Sequence, residues 1–228
     1  ETDLTPSYVA ANSRGELEVG SGALNILREG DVANVAEGFK RLIGRTHTWT
    51  FPNNGTSYTP EDLSAIVLQS IRRDIQIVPS FLNEDVDSAV ITIPAVFGER
   101  ERSATLSAAH EAGFVYAELV QEPIAAGLAY GWDKSDDERP FLVYDIGGGT
   151  FDAAIVQEVH GQLIVRAHRG EHALGGRDID KAIWNQIVRP QLENRVDSAE
   201  LDRKEQRLLL IIEEVKKRLS RVSMESPA

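Results

Sequence analysis

The chain has 228 residues, with 24 Lys and Arg against 36 Asp and Glu and a formal net charge of −12. Its apolar fraction of 42% and charged fraction of 26% are those of a globular protein with a sizeable core, which excludes a disordered or low-complexity chain. The absence of cysteine excludes disulfides, thiol catalysis and thiolate metal sites, the acidic balance argues against a nucleic-acid surface, and no apolar run nears the ~18–20 residues of a membrane span.

The chain starts Glu1-Thr2-Asp3, without Met or a signal-peptide pattern. Residues 7–11 and 17–19 read as two short strands around the turn Asn12-Ser13-Arg14-Gly15. Two helical stretches follow, 23–29 and about 32–43, the second stopped by Gly44. Residues 48–58 read as a hairpin turned at Asn53-Asn54-Gly55, since Asn-Gly supplies the positive φ of a tight turn. Thr59-Pro60-Glu61-Asp62 is a helix start: Thr caps, Pro fits the first helical position, and the acids meet the positive end of the dipole. Leu63, Ile66, Val67, Ser70 and Ile71 then share one face at the 3.6-residue period.

From residue 88 the pattern becomes strand and helix in alternation. Ala89-Val90-Ile91-Thr92-Ile93 is an apolar run suited to a buried strand, ended by Pro94. Residues 99–112 read as a helix with Gly113 past its end, 115–120 as a strand, and 123–130 as an Ala-rich helix capped by Gly131. The acidic stretch 135–139 reads as a solvated connector and a lobe boundary. Three strands follow, 141–145, 151–159 and 162–167, with His160-Gly161 turning the last two. Gly175-Gly176 opens a helix carrying Ile179, Ile183 and Ile187 that is interrupted near Pro190. The last element, about 199–222, sets Leu201, Leu208, Ile212, Val215 and Leu219 on one stripe.

The segment richest in chemistry is Asp145-Ile146-Gly147-Gly148-Gly149-Thr150-Phe151-Asp152. Consecutive glycines let backbone N–H groups converge on one concavity, a site for phosphate oxygens. Thr150 adds a hydroxyl, and Asp145 and Asp152 are spaced to hold a hydrated Mg²⁺ beside those phosphates. Rossmann and P-loop sites are excluded, because both run from glycines into a helix and here a strand follows. Read alone, the segment is equally a plain glycine hairpin with two exposed aspartates. His110-Glu111 lacks the second histidine of a zinc helix, and Lys216-Lys217-Arg218 is too short for a nucleic-acid patch.

Further motifs occur in order: Ile93-Pro94-Ala95-Val96-Phe97, Arg102-x-Ala104-Thr105, Glu122-Pro123-x-Ala125-Ala126, the turn at 145–152, and Leu174-Gly175-Gly176-x-Asp178-x-Asp180. Thr5-Pro6-Ser7-Tyr8-Val9 and Phe39-Lys40-Arg41-Leu42-Ile43-Gly44 precede them, and Glu213-x-x-Lys216-Lys217-x-Leu219-Ser220 follows. Together they resemble, nearly end to end, the nucleotide-binding domain of the seventy-kilodalton heat-shock (DnaK-type) chaperones. The resemblance implies an α/β chain with an actin-like ATPase (ribonuclease H-like) fold in two lobes. Lobe I would be residues 1–134, with a peripheral subdomain at about 8–62 and a central one at about 63–134. Lobe II would be 135–228, with a phosphate-turn sheet at 135–174 and a helical part at 175–228.

By the same resemblance, Lys40 positions the γ-phosphate or the attacking water; read alone, it is a solvated helix lysine. Glu122 stands near Mg²⁺ and links the site to a switch proline, Pro94, whose partner is Arg102. Asp145 holds metal-bound water, so both Asp145 and Glu122 reach the metal through water. Gly147, Gly148, Gly149 and Thr150 form the phosphate turn, Asp152 stands near the catalytic water, and Gly175 and Gly176 join the nucleotide-binding set. Glu213, Lys216, Lys217 and Ser220 clasp adenine and ribose; their i, i+3, i+4, i+7 spacing is also that of a salt-bridged surface. Lys217 replaces an arginine that usually stacks on adenine, and lysine lacks the planar guanidinium.

An opening phosphate-loop hairpin and a closing nucleotide turn are missing from the family pattern, so the chain is expected to be truncated at both ends. The implied ligands are ATP or ADP with Mg²⁺. The implied partners are co-chaperones, nucleotide-exchange factors and, through a peptide-binding domain absent from this sequence, unfolded polypeptide. Nucleic acid and membranes are not expected, and the expected location is cytoplasmic. Two functions follow: an ATP-binding and ATP-hydrolysing chaperone module, or a non-catalytic interaction fragment or pseudo-ATPase that keeps the fold without turnover.

Overall fold

The computed structural model describes residues 4–78, 85–130, 139–171 and 174–221. Strand β1 (Tyr8–Ala11) is the centre of a three-stranded antiparallel sheet, between β2 (Leu17–Val19) and β3 (Val35–Glu37). Alternation sends Tyr8 and Ala10 to one face and Val9 and Ala11 to the other, and both faces are covered. On one side Tyr8, Ala10 and Val35 pack on Ala23 and Leu27 of α1 (Ser21–Glu29). On the other, Val9, Ala11 and Ala36 meet Phe39, Phe51, Leu63 and Val67. Phe51 comes from the hairpin of β4 (Trp49–Phe51) and β5 (Thr56–Tyr58), turned at Gly55, whose amide donates to the Phe51 carbonyl at 2.8 Å. Leu63 and Val67 come from α2 (Pro60–Gln76). Its start is a reciprocal cap: the Asp62 amide donates to Thr59 Oγ1 at 3.1 Å, and the Thr59 amide to Asp62 Oδ2 at 2.8 Å.

The expected helix at 32–43 is not formed. In its place stand a 3₁₀ turn (Val32–Asn34), β3, and a second 3₁₀ turn (Phe39–Leu42). Val32, Val35, Ala36 and Phe39 imitate helical spacing, but Tyr8, Val9 and Ala10 offer a ladder for Glu37, Ala36 and Val35. Gly38, at φ 67°, then turns the chain out of the strand.

Strands β6 (Ser88–Ile93) and β7 (Tyr116–Gln121) pair in parallel, joined by α3 (Glu99–Glu111), which packs on α2. The apolar run of β6 is not buried on both faces. Val90 is 67% exposed while Ile93 is 1% exposed, so only one face and the end of the strand are covered. The His110 ring bonds the Phe114 carbonyl at 3.0 Å, a contact at the helix end. Helix α4 (Glu122–Ala129) follows β7 without a loop, so the strand end fixes Glu122. Gly131 and residues 135–138 of the expected connector lie outside the described residues.

Strands β8 (Phe141–Ile146), β9 (Phe151–Val159) and β10 (Gln162–Glu171) form an antiparallel sheet in the order β10-β9-β8, and α4 lies against it. Helix α5 (Gly176–Ile183) runs through a wide π turn (Trp184–Val188) into α6 (Arg189–Leu192). The expected interruption near Pro190 is thus a π turn between two α-helical segments. The wide turn holds Gln186, whose carbonyl the proline ring would strike in a regular helix. Trp184 at 0% exposure packs with Leu201 and Ile212 of α7 (Ser198–Arg221). Val215 and Leu219, expected on that stripe, are 47% and 68% exposed. Helix α7 also reaches α1 through Leu210 and the Arg28–Glu214 pair at 2.8 Å. No helix among the described residues is long and apolar enough to cross a membrane.

Leu63 is fully buried at the junction of α2 and the first sheet. Leu63→Ala should cost about 2–5 kcal/mol through lost transfer energy and a cavity, read as a lower urea midpoint with an unchanged m-value.

Candidate functional site

The register of β8 and β9 sets Asp145 opposite Asp152 and Ile146 opposite Phe151, leaving residues 147–150 as the turn. The Gly147 amide closes it on the Thr150 carbonyl at 2.9 Å. Helix α5 backs the turn: the Gly176 amide donates to Gly147 O at 3.0 Å and the Arg177 amide to Gly148 O at 2.9 Å. Two amides that a helix start leaves without intrahelical partners are thus satisfied by the turn itself. Gly175 makes this contact possible, because a Cβ there would lie 2.8 Å from Gly149 N and C and 2.9 Å from Gly147 O. The start of α5 therefore faces protein carbonyls, and any anion must bind in the concavity of the turn.

That concavity opens into a cleft of about 320 Å³ lined by residues 147–150 with Ser7, Lys40, Arg41, Glu122, Asp145 and Arg177. Lys40 stands on the 3₁₀ turn Phe39–Leu42, not on a solvated helix. Its Nζ lies 2.6 Å from Glu122 Oε1, across 82 residues of sequence. Three cations and two carboxylates at a glycine turn suit a polyphosphate with a cation beside it. Among the described residues no cluster of three or more His, Asp or Glu is placed to hold a metal. Glu122 and Asp145 on the cleft wall are the carboxylates that a hydrated cation such as Mg²⁺ would take beside phosphate oxygens. Asp152 is buried behind the turn, 7% exposed, and does not line the cleft.

A second cavity of about 220 Å³ adjoins the first, sharing Gly38, Arg41 and Arg177 with it and adding Tyr8, Asp180 and Glu213. Lys216 ties α7 to α5, its Nζ 2.7 Å from Gly176 O and 2.8 Å from Asp180 Oδ2. Lys217 pairs with Glu213 at 2.7 Å, and Ser220 Oγ donates to the Lys216 carbonyl of its own helix at 2.8 Å. Of the four, only Glu213 lines a cavity; Lys216, Lys217 and Ser220 line neither. Pro94 is fully buried, and Arg102 reaches its turn indirectly, Nε donating to Phe97 O at 3.1 Å. That turn touches the sheet behind the glycines: a Cβ on Gly170 would lie 3.2 Å from Val96 Cγ1 and against Asp152.

The sequence reading missed four contributors: Tyr8, Glu37, Arg41 and Arg177. Arg41 follows the singled-out Lys40, Tyr8 stands in the motif Thr5-Pro6-Ser7-Tyr8-Val9, and Arg177 fills the variable position of Gly-Gly-x-Asp; for Glu37 no local signal exists. Arg177 Nη2 lies 3.3 Å from Glu37 Oε2 and its guanidinium carbon 5.6 Å from the Tyr8 ring centroid. Burial, and then the neighbouring Glu37 carboxylate, push the Tyr8 phenol well above the ordinary tyrosine range.

Two expectations follow. Gly175→Ala should displace the turn from α5 and destabilise the chain by about 1–3 kcal/mol, as overpacking does, while Gly148→Ala, with open space at its Cβ, should change the denaturation midpoint little. Because Tyr8 is held neutral in the fold, its contribution is complete below the ordinary value of 10.0 and is lost as pH rises beyond it. Urea titrations along an alkaline series should show that loss, and Tyr8→Phe should remove this part of it.

The family model described as Hsp70 protein matches residues 48–227, well over half of the sequence. Members of that family carry an actin-like ATPase fold and act as nucleotide-binding modules of chaperones, with which the mixed α/β elements and the glycine-turn cleft accord. The chain belongs to the Hsp70 protein family.

Proposed function

We propose that the chain is the ATP-binding and ATP-hydrolysing module of a DnaK-like chaperone, its nucleotide state coupled in the parent protein to peptide binding, with lobes at 1–134 and 135–228. The observation that carries this reading is the convergence of Lys40, Glu122, Asp145 and the turn 147–150 on one cleft, each from a different element. In this reading the amides of the turn and the Thr150 hydroxyl hold phosphate oxygens. Lys40, released from Glu122, offers its charge to the terminal phosphate or orients the attacking water. Asp145 and Glu122 hold Mg²⁺ through its water, and the bound ion supplies charge neutralisation of the phosphates. Asp152 orients the turn from behind, Gly175 and Gly176 fix it to α5, Glu213 faces the nucleoside from the adjoining cavity, and Lys216 holds α7 to α5 behind it. Pro94 and Arg102 carry lobe movement to β10 through the contact of Val96 with Gly170. Co-chaperones and exchange factors are the partners this role requires.

One observation favours the second reading, a pseudo-ATPase or interaction fragment. Lys217 and Ser220 are engaged on their own helix, so the outer half of an adenine clasp is not assembled.

Calorimetry with Mg·ADP separates the two. Measurable binding, together with phosphate release from Mg·ATP that falls about 10²-fold in Asp145→Asn and in Thr150→Ala, is the result expected of an enzyme. Turnover as fast as wild type in both variants would remove the site assignment, and a flat titration would leave the interaction reading.

A further inference from the structure

Two arginines cross the cleft in opposite directions. Arg177, the second residue of α5, extends toward the first sheet, its Nη2 3.3 Å from Glu37 Oε2 and 3.4 Å from the Tyr8 hydroxyl. Gly38 leaves it room, since a Cβ there would lie 2.9 Å from Arg177 Nη1. Arg41 runs the other way, its Nη2 2.7 Å from Asp178 Oδ2. Its Nε stands 2.7 Å from where a Cβ on Gly149 would be, so the guanidinium rests on the bare backbone of the glycine turn. Adjacent residues on α5, Arg177 and Asp178, thus meet Glu37 and Arg41 with the charges reversed.

The four side chains are between 23% and 32% exposed, so neither pair is expected to add much stability alone. A crossed arrangement supplies register instead. Sliding one wall along the other would bring Arg177 toward Arg41 and Asp178 toward Glu37, and like charges in such a setting penalise the wrong alignment.

We infer that the crossed pairs Arg177–Glu37 and Arg41–Asp178 form a clamp that fixes the glycine turn against Lys40 and Glu122, and that its strength sets how fast a polyphosphate ligand leaves the cleft. The second half of this statement rests on the proposed function; the first does not. The turn has two supports, the α5 amides on Gly147 O and Gly148 O and the Arg41 guanidinium on Gly149. Opening either ion pair loosens one of them without disturbing the sheets. Arg41 and Arg177 are accordingly positioning residues, acting on a ligand through the turn.

A double-mutant cycle on the full chain tests this, using Glu37→Gln, Arg177→Gln and the two combined, with Arg177→Lys as the conservative variant. Amide hydrogen exchange without nucleotide should rise about threefold to tenfold at residues 147–150 in each Gln variant, with α2 unchanged, and the double variant should exceed neither single one. Arg177→Lys should keep most of the protection. Additive effects, unchanged exchange at 147–150, or a rise spread through α2 would overturn the clamp. Release of a fluorescent ADP analogue with Mg²⁺ should quicken by a similar factor. Unchanged release beside raised exchange would overturn the rate-setting half. Coupled exchange with no nucleotide bound would keep the clamp and count against the proposed function alone.

Discussion

Gly175 lies within ordinary contact range of the backbones of Gly147 and Gly149, nearer than any side chain would permit, and the functional face of the molecule is arranged around that approach. It lets α5 spend its first amides on the carbonyls of the turn. The concave side of the turn is thereby aimed at Lys40 and Glu122, and the partly buried Lys216–Asp180 pair holds α5 against α7 behind it. A methyl group at this one position would force every one of these contacts to move.

The elements around the turn divide the remaining work. The first sheet is covered on both faces, so the short 3₁₀ turn carrying Lys40 and Arg41 stands on a rigid base although it has little regular structure of its own. Strand β7 passes directly into α4, which fixes Glu122 without a loop that would scatter its position. Lys40 and Glu122 form an ion pair across the cleft. Under the proposed function, an entering phosphate would compete with the carboxylate for the lysine, and a metal ion with the lysine for the carboxylate, so that each would free the residue the other uses.

Much of this was legible in the sequence where the signal is local. The capped start of α2, the Asn-Gly hairpin, the His160-Gly161 turn and the strand–glycines–strand segment are each specified by a few adjacent residues whose backbone needs admit few alternatives. What was not legible depends on distant pairing. Residues 32–43 carry helical spacing, yet β1 recruits three of them as a strand, and nothing within the segment announces that partner. Pro190 announces an interruption of the helix, but that it takes the form of a π turn with Trp184 packed against α7 depends on residues farther along the chain. At the site, the motif residues of the turn were readable, whereas Glu37 and Tyr8 acquire a role only through an arginine far along the chain.

The contact between Arg177 and Tyr8 closes a loop of 169 residues. Loop-closure entropy grows only with the logarithm of length, so so wide a separation costs the folded chain little more than a modest one would. Its effect falls on the order of events. Short-range pieces, such as the β4–β5 hairpin, the capped helix α2 and the β9–β10 hairpin, can form before distant segments are brought together, whereas the cleft needs residues as far apart as Tyr8 and Arg177 at once. During synthesis the first sheet emerges long before α5, so the two walls of the cleft come together only once α5 has been made.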